Sequence, residues 1–511
     1  MKLFRFSDES VLGSIPGKAT QVMMYHDRYT AGETTGGLSV LFAMLCIIDL
    51  FGVFPVVALP KSIISCGIYG IPLVLAVVAL QLYTAVLLGR SWILAHDIAP
   101  NIREKSRFPY AAVAELAFGK TSRSIVTFLI DATVFSAGVP NFIFASQSMQ
   151  LFWWKITDGD VGITYCVWMV VIGLLLCPIM WLGSPKDMKP LALTSVFIVT
   201  TVAVSTWTCI INDDTSPPAS GDVLAYSPST RDFLVAYGIM VYQFDIHPML
   251  LTLQVDMKDS RRIHSAVLGG FMVTGLMFTV TSFLAAKRYG NNIQSNILQG
   301  LPPSIILYIV ALLVTLQLCL SSAVGNSALF QHLEDLLKIP REFCIQRCIM
   351  RSGIIALAVF LGESVPRFDL VMGLIGSTLT GPLMFIFPPL FFLRLCYKKS
   401  SLPNDTVPYK SKRLGDDPSK MALFIHSFDT KYKTFTTTLE KMGEDDMDEY
   451  NIKWYDIVLA VIVMLLGILA TALATYSSWS DAISSASFSP PCLVNASAAA
   501  RSFIERNTRV T

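Results

Sequence analysis

Charged residues are scarce in this sequence. Asp, Glu, Lys and Arg make up 15% of its 511 residues, whereas soluble globular proteins contain about 25%. Hydrophobic residues account for 53%, and the mean hydropathy is +0.56. Because a chain of this composition has too few polar groups to cover its apolar surface in water, we exclude an ordinary soluble domain and predict a protein that lies in a lipid bilayer.

Patterns that support nucleic-acid binding or enzyme chemistry are also missing. The formal net charge is +2, and the 39 basic residues form no single patch that would bind a polyanion. The ten cysteines lack CxxC spacing, and neither a metal-ligand cluster nor a nucleophile elbow is present. We therefore predict no enzyme activity, no cofactor and no nucleic-acid partner. A packing role is expected for the six cysteines in or beside apolar segments, namely Cys46, Cys166, Cys177, Cys209, Cys319 and Cys396.

The apolar residues occur in blocks of about 20, the length of helix that crosses a hydrocarbon layer of ~30 Å. Eleven blocks, separated by charges or by Gly and Pro, predict an all-α multi-pass membrane protein with about eleven transmembrane helices. We call them spans 1 to 11. Their predicted bounds are 38–60, 68–95, 122–150, 161–182, 190–211, 233–255, 264–286, 302–324, 347–364, 366–396 and 454–477.

The distribution of Lys and Arg predicts the orientation. Most of these residues lie on one side of the spans if the N-terminus is cytosolic, as the positive-inside rule requires. The opening MKLFRFSDESVLG lacks the apolar stretch of a cleavable signal peptide, so span 1 is expected to insert uncleaved. An odd number of spans then puts the C-terminus outside the cytosol.

This topology divides the chain into five parts. The expected order is a cytosolic tail (1–37), a core of spans 1 to 10 (38–396), a polar cytosolic linker (397–453), span 11 (454–477) and a non-cytosolic tail (478–511).

Four ionisable residues lie inside predicted spans, where a charge is costly and generally faces a cavity or a partner. They are Asp49 in span 1, Asp131 in span 3, and Asp245 and His247 in span 6. By contrast, Glu334 and its neighbour at 335 lie beyond the predicted end of span 8 and are expected to be solvated.

Spans 1 and 6 also contain helix-breaking residues beside the charge, with Gly52 and Pro55 in span 1 and Pro248 in span 6. A proline kink satisfied by neighbouring helices is one interpretation. The other is an unwound break that lines a cavity. Because the breaks begin two groups of five spans, 38–211 and 233–396, the pattern favours an inverted repeat with the substrate at the interruptions.

Four segments resemble the amino acid/auxin permease family, and they follow the family's order along the chain. They are GVFPVVALPKSIISCG (52–67), FDIHPMLLTLQVDMKD (244–259), YGNNIQSNILQGLP (289–302) and FDLVMGLIGSTLTGPLMFIFPPLFFLRL (368–395). The resemblance covers roughly residues 38–396. It implies amino acid transport on the 5+5 inverted repeat of the bacterial sodium-coupled leucine transporter, with one extra helix and with spans 1 and 6 unwound at their centres.

By this resemblance, Val53 and Phe54 supply main chain to a substrate carboxylate. Relatives commonly have Gly-x-Gly where this sequence reads Val53-Phe54-Pro55, and Gly52 is the candidate for that role. The resemblance also implies that Phe244, Asp245 and Ile246 surround the substrate ammonium. From its position alone, Phe142 in span 3 is expected to line the same pocket.

Roles in ion coupling remain open at this point. The resemblance matches Asp49 to a cation-binding position and His247 to the family's His, yet each also suits a structural hydrogen bond. Asp131 is expected to be a structural partner, with a coupling role as the alternative. Three hydroxyl residues in span 8 are candidate ligands for sodium, the only metal ion predicted: Thr315, Ser321 and Ser322. The alternative is that their hydroxyls form contacts between helices.

The function predicted from these observations is alternating-access transport of an amino acid or related small molecule. The spans contain carboxylates and a histidine that could carry protons, whereas no clear set of oxygen ligands for sodium is evident. A proton gradient is therefore favoured over a sodium gradient as the energy source. Sodium coupling and an amino acid sensor without net flux are the alternatives. The expected partners are the small-molecule substrate and the bilayer of a plasma, vesicular or lysosomal membrane.

Glycosylation tests the predicted orientation. Asn495 lies in an Asn-Ala-Ser acceptor sequence in the non-cytosolic tail, whereas Asn404 lies in an Asn-Asp-Thr sequence in the cytosolic linker. We expect Asn495→Gln to abolish the gel shift that enzymatic deglycosylation produces. Asn404→Gln is the control and should leave that shift unchanged; a shift lost only in this variant would reverse the topology.

Overall fold

Helices make up nearly all of the regular structure. The computed structural model describes residues 37–105, 108–157, 163–181, 188–214, 228–340, 343–365, 368–401 and 454–485. Within these ranges the one exception is an isolated β-bridge between Leu38 and Met257. The predicted all-α class is confirmed.

The helices follow the predicted spans. Nine helices in the described ranges, those of spans 2, 3 and 5 to 11, are long and apolar enough to cross a membrane. Shorter apolar helices occupy spans 1 and 4, so the count of eleven stays a prediction. The unbroken helices are Gly70–Ile98 (span 2), Lys120–Ile156 (span 3), Tyr165–Trp181 (span 4), Met188–Ile211 (span 5), Ile263–Tyr289 (span 7), Ile305–Leu336 (span 8), Ile345–Ser364 (span 9) and Trp454–Ser485 (span 11).

Large apolar side chains cover the outer faces of this bundle. A surface of this kind is unfavourable in water and favourable against lipid chains. Examples from five different spans are Leu75, Phe128, Phe197, Phe283 and Leu465, all of which are exposed.

Spans 1 and 6 are interrupted, as predicted. Span 1a (Val40–Phe51) ends at Gly52, and span 1b continues as two short helices, Phe54–Val57 and Leu59–Ile64. Gly52 has φ +60° and ψ −148°, a conformation that is essentially restricted to glycine.

Span 6 breaks in the same manner. Span 6a (Thr230–Gln243) and span 6b (His247–Asp256) are separated by three non-helical residues, 244–246. Pro248 is at the start of span 6b, where its missing N–H costs no helical hydrogen bond.

Span 10 contains a wide helical stretch that the sequence analysis did not predict. It begins as an α-helix (Phe368–Ile375), has π-helical geometry over Gly376–Thr380 and again over Pro382–Ile386, and ends as an α-helix (Phe387–Ser400). Side chains from elsewhere bond its main chain. Tyr110 donates to the carbonyl of Leu383 at 2.5 Å, and Thr475 of span 11 donates to that of Ser377 at 3.1 Å.

The cytosolic ends of spans 1a and 6b, in the predicted orientation, are joined through main-chain groups. The amide of Leu38 donates to the carbonyl of Asp256 at 2.8 Å, and the amide of Lys258 donates to the carbonyl of Leu38 at 2.9 Å. These bonds form the isolated bridge and connect two half-helices that are more than 200 residues apart in the chain.

Glu334 was expected to be solvated, and this prediction is wrong. Its side chain is buried, and Arg351 of span 9 donates to it at 2.7 Å through Nε, while Arg347 lies 3.0 Å away. The Arg351 guanidinium also lies over the ring of Phe330. This pairing allows span 8 to remain helical to Leu336, well beyond its predicted end at 324.

Cys166 was expected to have a packing role, but it is disulfide-bonded. Disulfides persist in oxidising compartments; the predicted orientation, which puts the start of span 4 outside the cytosol, stays a prediction. The other five cysteines of the predicted packing set are free thiols.

Residues 1–36 and 486–511 of the predicted tails, both acceptor sequences and residues 402–453 of the linker lie outside the described residues. The helix of span 10 reaches Ser400, beyond its predicted end at 396, and the helix of span 11 reaches Ser485, beyond its predicted end at 477.

Removing the Glu334 carboxylate tests the buried pairing. Glu334→Gln leaves two arginines without their shared anion, so we expect the protein to lose about 3–5 kcal/mol of unfolding free energy. The exposed Asp97, which pairs with Lys399 at 2.9 Å, is the control, and Asp97→Asn should cost about 0–1 kcal/mol. Thermal unfolding of the purified protein in detergent measures both; equal shifts would contradict the prediction.

Candidate functional site

The two helix breaks meet at one place. Gln243, the last residue of span 6a, donates from Nε2 to the carbonyl oxygen of Phe51, the last residue of span 1a, at 2.9 Å. The ring of Phe51 also contacts that of Phe244, with centroids 5.4 Å apart. Main-chain groups released from both helices are therefore concentrated in a small volume.

A cavity of about 140 Å³ lies beside this junction, between spans 1, 3, 6 and 8. Its polar lining consists of amides, hydroxyls and one carboxylate, and its described lining residues include no Lys, Arg or His. The polar residues are Thr133, Asn141, Tyr242, Gln243, Asp245, Gln317, Ser321, Ser322 and Asn326.

Asp49 is linked to the span 1 break through side chains of two other spans. The hydroxyl of Ser195 in span 5 donates to Asp49 Oδ1, and Gln317 in span 8 donates from Nε2 to the Ser195 oxygen at 3.5 Å. The Gln317 carboxamide lies against Gly52, where a Cβ atom would be only 3.0 Å from Nε2. Two distinct features thus require glycine at position 52: its backbone conformation and this close contact.

His247 and Asp245 form a second polar group at the span 6 break. The amide of His247 donates to Asp245 Oδ1 at 3.2 Å, and the imidazole Nδ1 lies 3.8 Å from the same oxygen. On the other side of the ring, His247 Nε2 is 3.1 Å from Thr84 Oγ1.

The Thr84 hydroxyl is within hydrogen-bond distance of two carbonyls of its own helix, that of residue 80 at 3.0 Å and that of Gln81 at 3.1 Å. Its contact with His247 Nε2 fits either imidazole tautomer: the Thr84 oxygen accepts when Nε2 carries the hydrogen, and the hydroxyl donates when it does not. In the first tautomer, the unprotonated Nδ1 faces the Asp245 carboxyl.

Asp131 lies away from the cavity. Its carboxylate is 2.5 Å from Nδ1 of His332 in span 8, and the His332 ring contacts the edge of Phe108. The pair joins spans 3 and 8 and is partly exposed.

Five of the predicted site residues line the cavity: Gly52, Phe54, Asp245, Ser321 and Ser322. Val53, Phe244 and Ile246 are buried beside it without lining it, so a role for them rests on their main chain.

Phe142 was expected to line the pocket but does not, because its neighbour Asn141 occupies that face of span 3. Consecutive helical residues point ~100° apart. The Thr315 hydroxyl donates within its own helix to Ala311 at 2.9 Å and is also 3.3 Å from the Ala145 carbonyl of span 3.

Sequence reasoning missed the uncharged polar side chains. Asn141, Gln243, Gln317 and Asn326 line the cavity, and Ser195 bonds Asp49. The signal that was available is an amide within an otherwise apolar block, as in the Leu-Gln-Leu of span 8.

A second cavity, of about 430 Å³, lies between spans 1b, 6a and 10. It has a charged lining, which includes Lys61, Arg231, Asp232, Asp369 and Asp481. The two cavities are therefore chemically different: one has several ionic side chains and the other has a single carboxylate.

An aromatic row lies between the two cavities. The Phe144 ring contacts Phe54 of the first cavity at 5.4 Å and Phe368 of the second at 5.1 Å between centroids. Close by, spans 6a and 10 touch through their backbones, since a Cβ atom on Gly376 would lie 1.8 Å from the carbonyl oxygen of Gly238. We refer to these ring and backbone contacts together as the aromatic layer.

A family model described as "Transmembrane amino acid transporter protein" matches residues 37–412, which is most of the chain. The chain belongs to this family. The match confirms the family suggested by the four segments.

Individual relatives are distant. Members of the family similar to this chain include amino acid transporter AVT1B of Arabidopsis thaliana, 23% identical over 412 residues that cover 79% of this chain and 72% of the relative. Amino acid transporter AVT1H of the same plant is 22% identical over a region that covers 66% of this chain and 78% of the relative. Vacuolar amino acid transporter 3 of Schizosaccharomyces pombe is 22% identical over 174 residues, which cover 32% of this chain and 26% of the relative.

Two solved structures were also found to be similar. A crystal structure of MhsT in complex with L-phenylalanine has a TM-score of 0.49 at 13% identity and covers 87% of this chain and 99% of MhsT. A Na⁺-coupled sialic acid symporter has a TM-score of 0.42 at 13% identity and covers 71% and 80%.

Position 52 provides a test of the span 1 break. Gly52→Ala forces a side chain into a glycine-only conformation and against Gln317, so we expect a loss of about 1–3 kcal/mol of unfolding free energy. Gly275, where a Cβ atom would meet nothing within 4 Å, is the control. Gly275→Ala should be neutral or stabilising by about 0.5–1 kcal/mol. Thermal unfolding compares the two, and equal stability would argue against the break.

Proposed function

We propose that this chain is a secondary active transporter of amino acids or closely related small molecules, that it works by alternating access, and that protons drive it. Family membership supports the solute class, because the similar proteins named above are amino acid transporters. The observation that carries the proposal is the cavity at the junction of two interrupted helices.

The helix breaks supply the groups that a zwitterion requires. In this proposal, the main chain at 52–54 faces the substrate carboxylate, and the main chain at 244–246 with the Asp245 side chain faces the ammonium. A volume of about 140 Å³ suits a solute with a small side chain. Since the site is at mid-membrane, the solute exchanges its hydration for these fixed dipoles.

The Asp245–His247 pair is our candidate for proton coupling. One proton between the carboxyl and Nδ1 makes the pair mutually attractive, and its loss leaves a lone pair facing a carboxylate 3.8 Å away. The same carboxylate lines the cavity and accepts the His247 amide. Gain or loss of the proton therefore changes the charge that the substrate meets. Asp49, bonded to Ser195, is the second candidate.

The aromatic layer between the two cavities supports alternating access. To reach the breaks from the second cavity, a solute must pass the row of Phe54, Phe144 and Phe368. In the proposed cycle, spans 1b and 6a move away from span 10 and separate this row. The bridge between Leu38 and Met257 makes spans 1a and 6b move together.

We infer a vacuole-type membrane as the location. The similarity to a vacuolar transporter of fission yeast supports it, and an acidic lumen provides the proton gradient that the mechanism uses. The plasma membrane is the alternative location.

Uptake into proteoliposomes tests the function. We expect the uptake of radiolabelled amino acid to rise severalfold when a pH gradient is imposed. A protonophore should return the uptake to the rate measured without a gradient, and a sodium gradient should not change it. Asp245→Asn removes the proton acceptor, so its uptake should no longer respond to the pH gradient. Asp97→Asn, at an exposed ion pair, is the control and should behave like the unmodified protein.

Each alternative predicts a different result. Stimulation by sodium alone would replace proton coupling with sodium coupling. Equal uptake under every gradient would reject coupling, and saturable binding without uptake would identify a sensor.

A further inference from the structure

Two glutamines that line the cavity each have a buried carboxamide oxygen with no hydrogen-bond partner in the described part of the chain. Gln243 of span 6a and Gln317 of span 8 both line the cavity, and their side chains are 5% and 0% exposed. Each Oε1 atom is buried and has no hydrogen-bond partner among the described residues. Leaving one such acceptor unpaired is costly, and two beside one cavity call for a ligand that donates.

The partners of the amide nitrogens fix which end of each carboxamide is free. Gln243 faces the main-chain carbonyl of Phe51, which can only accept, so the nitrogen must be on that side. Gln317 faces Ser195, whose one hydroxyl hydrogen is donated to Asp49 Oδ1. Ser195 can therefore only accept from Gln317. In both residues the oxygen is the end left open.

The charge of the lining points to the kind of donor. Asp245 supplies a carboxylate to the same cavity, and its described lining residues include no cationic side chain. The two carboxamide oxygens and this carboxylate make three acceptors, the number of N–H donors on a primary ammonium. A carboxylate on a ligand side chain would find no positive charge here and would be repelled by Asp245.

We propose that the Oε1 atoms of Gln243 and Gln317 accept hydrogen bonds from the substrate ammonium and make the site selective for small primary amines without an acidic side chain. This inference rests on the proposed function, in which the cavity holds the transported solute. The two glutamines are specificity-determining residues of that site.

The test replaces each glutamine with methionine, which is similar in length and has no amide. Gln81 provides a matched control. Like the two cavity glutamines, it is buried, it donates from its amide nitrogen (to the Val241 carbonyl at 3.4 Å), and its oxygen has no hydrogen-bond partner among the described residues. Unlike them, it does not line the cavity. Uptake of glycine, L-alanine and L-serine is measured for Gln243→Met, Gln317→Met and Gln81→Met.

We expect the KM for the best of these probes to rise about tenfold or more in each cavity variant, the effect of losing one hydrogen bond to a charged group. Gln81→Met should stay within about threefold of the unmodified protein. L-aspartate should compete with the probe about tenfold more weakly than L-alanine.

A second measurement separates recognition of the ammonium from general damage to the fold. N,N-dimethyl-L-alanine keeps the positive charge but has a single N–H donor. The unmodified protein should prefer L-alanine to this analogue, and each cavity variant should lose most of that preference because the acceptor is gone.

Three results would overturn the inference while the transport proposal stands: equal effects of all three substitutions, an unchanged preference for L-alanine over its dimethyl analogue, or a change only in dependence on sodium. The last result would assign the oxygens to a metal cation. If the unmodified protein neither binds nor takes up any of the three amino acids, the proposed function itself fails.

Discussion

The hydrogen bond from Gln243 to the carbonyl of Phe51 connects the two helix breaks at the centre of this protein. A helix that stops inside a bilayer exposes amides and carbonyls that no water can satisfy. Here the last carbonyl before the span 1 break is bonded by the last side chain before the span 6 break. The same bond uses the Gln243 nitrogen, and the Gln243 oxygen has no hydrogen-bond partner among the described residues. One contact between residues 192 positions apart thus joins the two breaks beside the cavity.

Carboxylates inside the bundle have partners on other helices or across a break. Glu334 lies between arginines of span 9, Asp131 pairs with His332, and Asp49 accepts from Ser195 of span 5. Such pairs offset the cost of a charge in a low-dielectric region. Asp245 differs because it lines the cavity at a helix break, where it accepts from the His247 amide and lies 3.8 Å from the His247 imidazole. The others join neighbouring helices away from the lining of this cavity.

Local sequence was sufficient for the spans and for the positions of both breaks, since apolar length, proline, glycine and a buried charge all act within a few residues. Features set by distant contacts were not predictable. Span 8 continues past 324 because Glu334 meets arginines of span 9. In the site, charged or conformationally special residues such as Gly52 and Asp245 stood out, whereas Gln317 did not. An amide in an apolar block acquires a role only through what faces it, which one sequence does not reveal.

The bridge between Leu38 and Met257 consists entirely of main-chain atoms. Every amino acid has a carbonyl, and all but proline have an amide hydrogen. The hydrogen bonds between the two half-helices therefore do not depend on which side chains are present, and substitutions around them would leave these bonds in place. Only proline at 38 or 258 would remove a donor. A mechanical linkage of this type can persist among very divergent proteins while leaving no recognisable motif.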